Sequence, residues 1–396
     1  MRPAKWPRII NPCSHPLRKR ARRVLFIQIT EAGGYPPIIH ASHLMAAAGW
    51  DVAILNAPVA DHLLEVPRHP QIRITNILQR SSHRIRTPDY FRYMLAAGRL
   101  ALTFRPDVVY ASDPFAAGPA LAAAKISNSE LVYHEHDTPN PGALDPRIAK
   151  LRGKAARTAR LVIFPNQSRA KIAQTELGFG DKQLRIVWNV PRRGELPERD
   201  VAPDAPIVLH YHGNISPQLL PESLVEALIH CPHDYRLRIM GYESPGAHGY
   251  AARLVELGKR TGQSIVEYLG QVSRDRLLAE AAQASIGIAL MPQCTTDINL
   301  VNIVGASNKA FDYMAAGLAL LVTEQPEWVR TFVDPGYGRS CDPGTIDSIT
   351  QQLCWFAEHT AKCRAMGLRG RAKIESDWNY ETVFRPVVAE LEAAAR

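Results

Sequence analysis

Short apolar runs alternate with amphipathic stretches along almost the whole chain, and this alternation predicts the secondary structure. In the first half, strands are predicted over residues 24–29, 50–55, 71–77, 107–110, 131–133, 160–164 and 184–187. Helices are predicted between some of them, over residues 38–48, 91–104 and 115–125. Short strands that alternate with helices in this way favour a doubly wound parallel sheet.

Residues 191–206 interrupt this periodicity with prolines and charges, so they form the best candidate for a linker between domains. The alternation then restarts, with strands predicted over residues 207–211, 236–240, 265–269, 286–290 and 318–322. Helices are predicted over residues 221–230, 247–260, 274–283, 326–333, 345–366 and 384–395. At 396 residues the chain is long enough for two domains.

The predicted fold is therefore α/β, with two Rossmann-like, doubly wound domains that face each other across a cleft. In such folds, ligands bind at the carboxyl ends of the strands. The predicted organisation is a basic N-terminal arm (1–22), a first domain (23–190), a linker (191–206), a second domain (207–378) and a C-terminal helix (379–396).

The segment over residues 307–324 carries the most informative single pattern. Ser307 and Asn308 are good helix N-cap residues, and a glycine and a buried apolar run follow the predicted helix. A helix N-terminus attracts phosphate, and Lys309 adds a full positive charge there. Asp312, one turn further along, is placed to accept hydrogen bonds from sugar hydroxyls.

A second polar cluster follows the predicted strand at residues 131–133. His134, Glu135, His136 and Asp137 come directly after this buried strand. Four ionisable side chains are costly to bury together, so the cluster favours a ligand site in the cleft over core packing.

The composition of the chain disfavours membrane-spanning, zinc-binding and disulfide-rich proteins. No apolar window approaches the roughly 18 residues of a membrane-spanning helix. The six cysteines form no CxxC pair, which disfavours a zinc site and a disulfide framework and fits a reducing cytosol.

Eight Lys and Arg residues precede the first acid, Glu31, so this tail holds eight of the nine net positive charges. Such a cluster attracts anionic lipid headgroups, and a disordered, solvated arm is the alternative. No nucleic-acid-binding motif accompanies the tail, so we expect no nucleic-acid partner.

Together these motifs resemble the nucleotide-sugar glycosyltransferases of the two-domain GT-B fold, in particular glycosyltransferase family 4. The resemblance covers about residues 24–395 and rests on SNKAFDYMAAGLALLVTE, LVYHEHDTP and VEYLGQVSRDRLLAEAAQASIGIALMP. It implies a nucleotide-diphospho-sugar donor in the second domain, an acceptor in the first, and neither a metal nor a cofactor. It also implies that the C-terminal helix packs back across the first domain.

The resemblance also implies roles for individual residues. His136 matches the active-site histidine that contacts the donor sugar, and Glu135 and Asp137 are candidates for acceptor binding or for tuning His136. The donor-binding candidates are Gly213, Asn214, Val272, Asn308, Lys309 and Asp312. The acceptor-side candidates are Gly33 and Gly34, which allow the backbone to approach a ligand closely.

The chain departs from the family pattern in two places. The loop after residue 211 lacks the usual arginine and lysine for the diphosphate, so Lys309 and backbone N–H groups need help from elsewhere. The candidates for this help are Arg192, Arg193 and Arg274. The first of the family's paired acids is also missing, because Val304 stands in its place, unless Asp297 replaces it.

We therefore predict a glycosyltransferase that moves a sugar from a nucleotide-diphospho-sugar to a hydroxyl of a glycan, a lipid-linked sugar or a small molecule. The resemblance implies a metal-independent reaction with retention of configuration, whereas inversion would require a base such as His136, Glu135 or Asp113. We expect a cytoplasmic enzyme that the basic arm holds to an anionic membrane surface. Two alternatives stay open: a non-catalytic partner subunit or scaffold, and a nucleotide-sugar epimerase, each with the same fold.

Overall fold

The structure is a computed structural model that describes residues 20–58, 66–77, 87–199, 207–244, 246–262 and 265–393. Most of the predicted basic arm, over residues 1–19, and residues 200–206 of the predicted linker lie outside these ranges.

The first half of the chain builds a parallel sheet. Its strands are β1 (Arg23–Gln28), β2 (Asp51–Asn56), β3 (Ile72–Asn76), β4 (Val108–Ser112), β5 (Glu130–His134), β6 (Leu161–Phe164) and β7 (Leu184–Ile186). They lie in the order β3-β2-β1-β4-β5-β6-β7, and every neighbouring pair is parallel. The order reverses between β1 and β4, which is where ligands bind in doubly wound sheets.

The second half repeats this plan with a parallel sheet of six strands. They are β8 (Ile207–Ile215), β9 (Tyr235–Glu243), β10 (Val266–Tyr268), β11 (Ile286–Ala289), β12 (Ala319–Thr323) and β13 (Gly338–Cys341). Their order is β10-β9-β8-β11-β12-β13. The predicted fold class, two Rossmann-like domains, is therefore confirmed.

The helices of the first half are α1 (Pro36–Ala47), α2 (Thr87–Phe104), α3 (Ala117–Ser127), α4 (Pro146–Thr158) and α5 (Gln167–Leu177). Neither α4 nor α5 was predicted, because the buried face of each combines an arginine with small residues, and Leu177 of α5 is the one large apolar side chain among them. Their caps were readable signals: Asp145 accepts a hydrogen bond from Arg147 N–H at the start of α4, and Asn166 caps α5 in the same way.

The helices of the second half are α6 (Glu222–His230), α7 (Tyr250–Gly258), α8 (Arg274–Ala282), α9 (Ile298–Val301), α10 (Lys309–Ala315), α11 (Pro326–Trp328), α12 (Ile346–Glu358), α13 (Thr360–Ser376) and α14 (Tyr380–Ala393). One helix was predicted over residues 345–366, but the chain breaks at His359, whose φ and ψ of −128° and 47° are not helical.

Strand β8 is longer than predicted, and this changes the surroundings of Gly213 and Asn214. Both residues belong to the strand and pair with Gly241 and Tyr242 of β9, rather than forming a glycine loop. Gly213 and Gly241 have φ of 107° and 131°. A Cβ at Gly241 would lie 1.9 Å from the Gly213 carbonyl oxygen, so the pairing depends on glycine.

The terminal helix α14 lies against the first domain. The Tyr380 hydroxyl donates to the Pro37 carbonyl at 3.2 Å. Arg22 donates to the carbonyl oxygens of Leu391 and Glu392 at 2.7 and 2.6 Å. Arg22 is therefore part of the folded body, although the sequence analysis placed it in the basic arm. Among the described helices, none combines the length and apolar character that a membrane span requires.

Candidate active site

The segment between β11 and α10 crosses from the second sheet to the first domain. Thr138 N–H donates to Asn299 Oδ1 at 2.9 Å, and Asn299 Nδ2 donates to the Thr138 carbonyl at 3.0 Å. Asn166 Nδ2 donates to the Val304 carbonyl at 2.8 Å. Asp297 caps α9 by accepting from Asn299 N–H at 2.7 Å, so its carboxylate is committed to this helix rather than to the place of the missing acid.

Glu135, one of the predicted catalytic residues, does not point into the cleft as the sequence suggested. Its two carboxylate oxygens accept hydrogen bonds from Arg152 of α4 at 2.7 and 2.8 Å, and Tyr133 donates to it at 2.5 Å. The carboxylate is fully buried. Successive side chains in an extended segment point to opposite faces, which separates Glu135 from His136. A buried, fully paired carboxylate is a structural group.

His136 stays at the edge of the cleft in a neutral form. Its Nε2 lies 3.0 Å from Ser112 Oγ, and its backbone N–H donates to Asp113 Oδ1 at 2.8 Å. Burial, reinforced by the nearby Arg169 charge, lowers its pKa to about 3. The ring of His134 lies 3.9 Å away, centroid to centroid. A neutral imidazole exchanges hydrogen bonds with a ligand but does not act as a cation near pH 7.

Asp113 is a site residue that the sequence analysis mentioned only as a base for inversion. Its φ of 68° is unusual for a residue other than glycine, and such backbone strain is concentrated at functional sites. Burial, with a further contribution from Asp137, raises its pKa well above the usual range. Its position three residues after the predicted strand at residues 107–110, at the same sheet edge as His136, was the available sequence signal.

A cavity of about 350 Å³ opens at this edge of the first sheet. Its lining residues include Gln28, Tyr35, Asp113, Asp137, Thr138 and Asn299. Gly33 and Gly34, the predicted acceptor-side glycines, form a tight turn with Ala32 directly before Tyr35. Asp137 is exposed at the cavity and lies 3.5 Å from Arg169.

Lys309 is the first residue of α10, and its side chain lies beside the end of β8 in the second domain. Its Nζ is 5.1 Å from the centre of the Tyr211 ring, and a Cβ at Gly213 would lie 3.0 Å from its Cε. The residue is only 7% exposed, and none of the ion pairs among the described residues involves it. Burial lowers its pKa to about 8. Asn214 Oδ1, in the same strand, is buried without a hydrogen-bond partner.

Asp312 and Asn308, two of the predicted donor-binding residues, form contacts within the protein. Asp312 is fully buried and accepts hydrogen bonds from Arg274 at 3.0 and 3.2 Å and from Asn308 at 2.9 Å. Burial raises the pKa of Asp312, but Arg274 and His212 outweigh this effect, and the net direction is downward. Because Asn308 turns its amide to Asp312, it does not cap α10.

The arginines considered for the diphosphate are engaged as well. Arg274 donates to Glu195 at 2.9 and 3.1 Å in addition to Asp312. Glu195 also accepts from Arg192 N–H at 2.9 Å and lies 2.9 Å from His40 Nε2 of α1. The backbone N–H of Arg193 donates to Glu381 at 3.1 Å. These contacts join the linker to both domains. The Arg192 guanidinium lies 3.5 Å from Glu195, and the Arg193 guanidinium donates to the Ser376 carbonyl and the Thr382 hydroxyl.

Val272 lies at the same end of the second sheet, half-buried in the turn after β10. The preceding Gly270 has φ of 72°, and its carbonyl accepts from Gly241 N–H at 2.9 Å. Through Gly241, this turn is adjacent to Gly213. Within the described residues, no group of three or more His, Cys, Asp or Glu side chains is arranged to hold a metal ion.

Comparison with known proteins finds similarity to glycosyltransferases, the class that the sequence motifs resemble. The family described as Glycosyltransferase Family 4 matches residues 38–190. A UDP-N-acetylglucosamine–N-acetylmuramyl-(pentapeptide) pyrophosphoryl-undecaprenol N-acetylglucosamine transferase from Shewanella frigidimarina is 22% identical over 368 residues, which cover 88% of this chain and 91% of the relative.

Solved structures share the whole architecture. Sucrose-phosphate synthase from Thermosynechococcus elongatus superposes with a TM-score of 0.71 at 15% identity, covering 94% of this chain and 100% of that one. HepE from Anabaena, in complex with UDP and glucose, superposes with a TM-score of 0.68 at 16% identity and the same coverage. The chain therefore has the GT-B fold and resembles the GT-B glycosyltransferases, as its sequence predicted. The family match supports a glycosyltransferase.

Proposed function

We propose that the protein transfers a sugar from a nucleotide-diphospho-sugar, held by the second domain, to a hydroxyl of an acceptor held by the first. The observation that carries this proposal is Lys309, whose buried ammonium group lies beside the end of β8 and has no acidic partner within the described ranges. A buried charge is costly unless it is paired, and a diphosphate supplies a charge-assisted partner. The name of the Shewanella relative specifies a UDP-sugar, and Anabaena HepE binds UDP and glucose, which favours such a donor.

In the proposed reaction, Lys309 stabilises the negative charge that develops on the leaving diphosphate. Neutral His136 orients the donor sugar by hydrogen bonding. Retention of configuration is the better proposal, because two of the three bases considered for inversion are poorly suited to accept a proton near pH 7. The pKa of His136 is about 3, and Glu135 is locked to Arg152.

The test is a turnover screen with UDP-, GDP- and ADP-sugars. We expect consumption of at least one donor, release of its nucleoside diphosphate and a sugar product with the donor's anomeric configuration, as followed by NMR. His136→Ala should lose about tenfold or more of this activity with little change in melting temperature. Loss of melting temperature with activity retained would make His136 a core residue.

The same screen separates the alternatives. Conversion of the donor sugar to its epimer would identify an epimerase. Nucleotide binding without turnover in the presence of diverse acceptors would identify a non-catalytic partner or scaffold.

We also propose that the acceptor is lipid-linked or otherwise bound to the cytoplasmic face of a membrane. Helix α2 presents a solvent-facing apolar stripe, in which Phe91, Leu95 and Leu102 are 59%, 55% and 60% exposed. Arg92 and Arg99 are also exposed on this helix. Apolar side chains flanked by arginines favour contact with an anionic membrane, as does the basic arm.

Vesicle co-sedimentation tests this attachment. Removal of residues 1–19 deletes five basic residues but leaves Arg22, which the fold uses. We expect the truncated protein to bind anionic vesicles more weakly and the full chain to lose binding as salt increases. Equal binding of both forms, or binding that ignores salt, would exclude a role for the arm.

A further inference from the structure

We propose that the cavity of the first sheet, at the carboxyl ends of β1, β4 and β5, is a seat for an uncharged sugar ring that donates hydrogen bonds. This inference rests on the proposed function and deepens it, because it names the reacting part of the acceptor as an unphosphorylated sugar.

Two buried oxygen atoms in the cavity wall, Gln28 Oε1 and Thr138 Oγ1, have no hydrogen-bond partner in the part of the chain that the structure describes. Both residues are 1% exposed. The neighbouring polar atoms of each residue are already used, since Gln28 Nε2 donates to Thr30 and the Thr138 backbone pairs with Asn299. Unpaired buried polar atoms are costly, so the wall is suited to a molecule that brings hydroxyl donors.

Two carboxyl groups set the preferred charge of the ligand. Asp113 and Asp137 both line the cavity, and the negative charge of Asp137 helps to raise the pKa of Asp113. A phosphate group in this position would meet the exposed carboxylate of Asp137, whereas the Arg169 guanidinium, 3.5 Å from Asp137, is buried and already donates to three backbone carbonyls. It would also oppose ionisation of Asp113. Hydroxyl groups, in contrast, find acceptors on both carboxyl groups.

Apolar side chains complete the wall. Ile29, Phe115 and Leu144 line the cavity beside the polar groups. A sugar ring has C–H faces that contact apolar surface and a rim of hydroxyls, and pockets for small molecules combine these two kinds of lining in the same way. The side-chain amide of Asn299 pairs with the Thr138 backbone and brings the second domain to this cavity, so a sugar seated there lies at the domain boundary.

The test is ligand-observed saturation-transfer NMR with methyl glycosides of glucose, galactose, mannose and N-acetylglucosamine, each compared with its 6-phosphate. We expect at least one uncharged glycoside to bind and its 6-phosphate to bind more weakly. Thr138→Val and Gln28→Met should each weaken glycoside binding about fivefold, the loss of one net hydrogen bond. Thr350→Val is the matched control, because Thr350 Oγ1 is also buried and unpaired but lies on α12, outside the cavity.

Thr138→Val should not lower the melting temperature, since it removes a hydroxyl that the fold does not use. Absence of binding by all uncharged glycosides, tighter binding of the phosphates, or unchanged binding in both variants would overturn the inference. A titration with nucleoside diphosphates on the same samples separates the two proposals. If nucleotides bind and glycosides do not, only the sugar seat is wrong, whereas failure of both argues against the proposed function.

Discussion

The two polar clusters at the strand ends differ in which residues the fold uses for itself. After β5, Glu135 is paired with Arg152, while His136 remains at the cleft edge. In α10, beside the end of β8, Asp312 is paired with Arg274, while Lys309 has no acidic partner among the described residues. Each cluster therefore mixes a structural carboxylate with a group available to a ligand. In both clusters, the contacts that a side chain makes, and not its residue type, determine whether it is structural or available to a ligand.

The largest effect on stability is expected from a substitution in the first cluster, the one after β5. Arg152→Met leaves the Glu135 carboxylate buried and unpaired, which should lower the free energy of unfolding by about 3–5 kcal/mol. Chemical denaturation measures this change. Lys154→Met, an exposed position on the same helix, is the control and should change stability by less than about 0.5 kcal/mol. A loss below about 1 kcal/mol for Arg152→Met would return Glu135 to the list of catalytic candidates.

In the second cluster, removal of the charged group should raise the stability of the protein instead of lowering it. Burial lowers the pKa of Lys309 from 10.5 to about 8, so the folded protein carries a desolvated charge at pH 7. Between these two pKa values the unfolded chain binds a proton that the folded protein has released. The free energy of unfolding should therefore rise with pH through this window, by about 3 kcal/mol from this residue.

Lys309→Met should remove this rise and be more stable than the wild type at pH 7. Denaturation from pH 7 to pH 10 compares the two proteins, and the difference between their curves isolates Lys309 from other groups that titrate. Parallel curves would mean that the lysine is solvated or paired.

A smaller effect is expected at Asp113, where the backbone is strained. Asp113→Gly and Asp113→Ala both remove the carboxyl group, but only glycine adopts the φ of 68° without strain. The glycine variant should be more stable than the alanine variant by about 1 kcal/mol. Both should lose transfer activity. Equal stability of the two variants, or activity in either, would show that the strain has no functional origin.

The sequence predicted the architecture because buried parallel strands produce continuous apolar runs that are separated by helices. It missed α4 because Arg152, a charged residue, is central to the face that this helix buries. The ion pairs of Glu135 and Asp312 could not be predicted from the sequence either, because their partners are distant in the chain. Arg152 and Arg274 lie 17 and 38 residues from the acids that they bind, and no local pattern indicates such pairs.

Lys309 was identified from its motif, but its significance differs from the prediction. The sequence suggested a lysine that supplements a helix N-terminus and several arginines. In the structure Arg192 and Arg274 pair with Glu195, and the Arg193 guanidinium donates to Ser376 and Thr382. Lys309 is buried and has no acidic partner among the described residues, so the diphosphate proposal depends on this cation.

Calorimetric titration with UDP, GDP and ADP tests this central claim most directly. It compares the wild type, Lys309→Met and the control Lys259→Met, which changes an exposed lysine paired with Glu256. The account predicts that at least one nucleoside diphosphate binds the wild type, and that Lys309→Met weakens this binding by about tenfold or more, the value of a charged hydrogen bond. Binding should be unchanged in Lys259→Met, and in the wild type it should weaken as the pH rises above 8. Equal affinity of Lys309→Met and the wild type, or no binding of any of the three nucleotides at millimolar concentration, would contradict it.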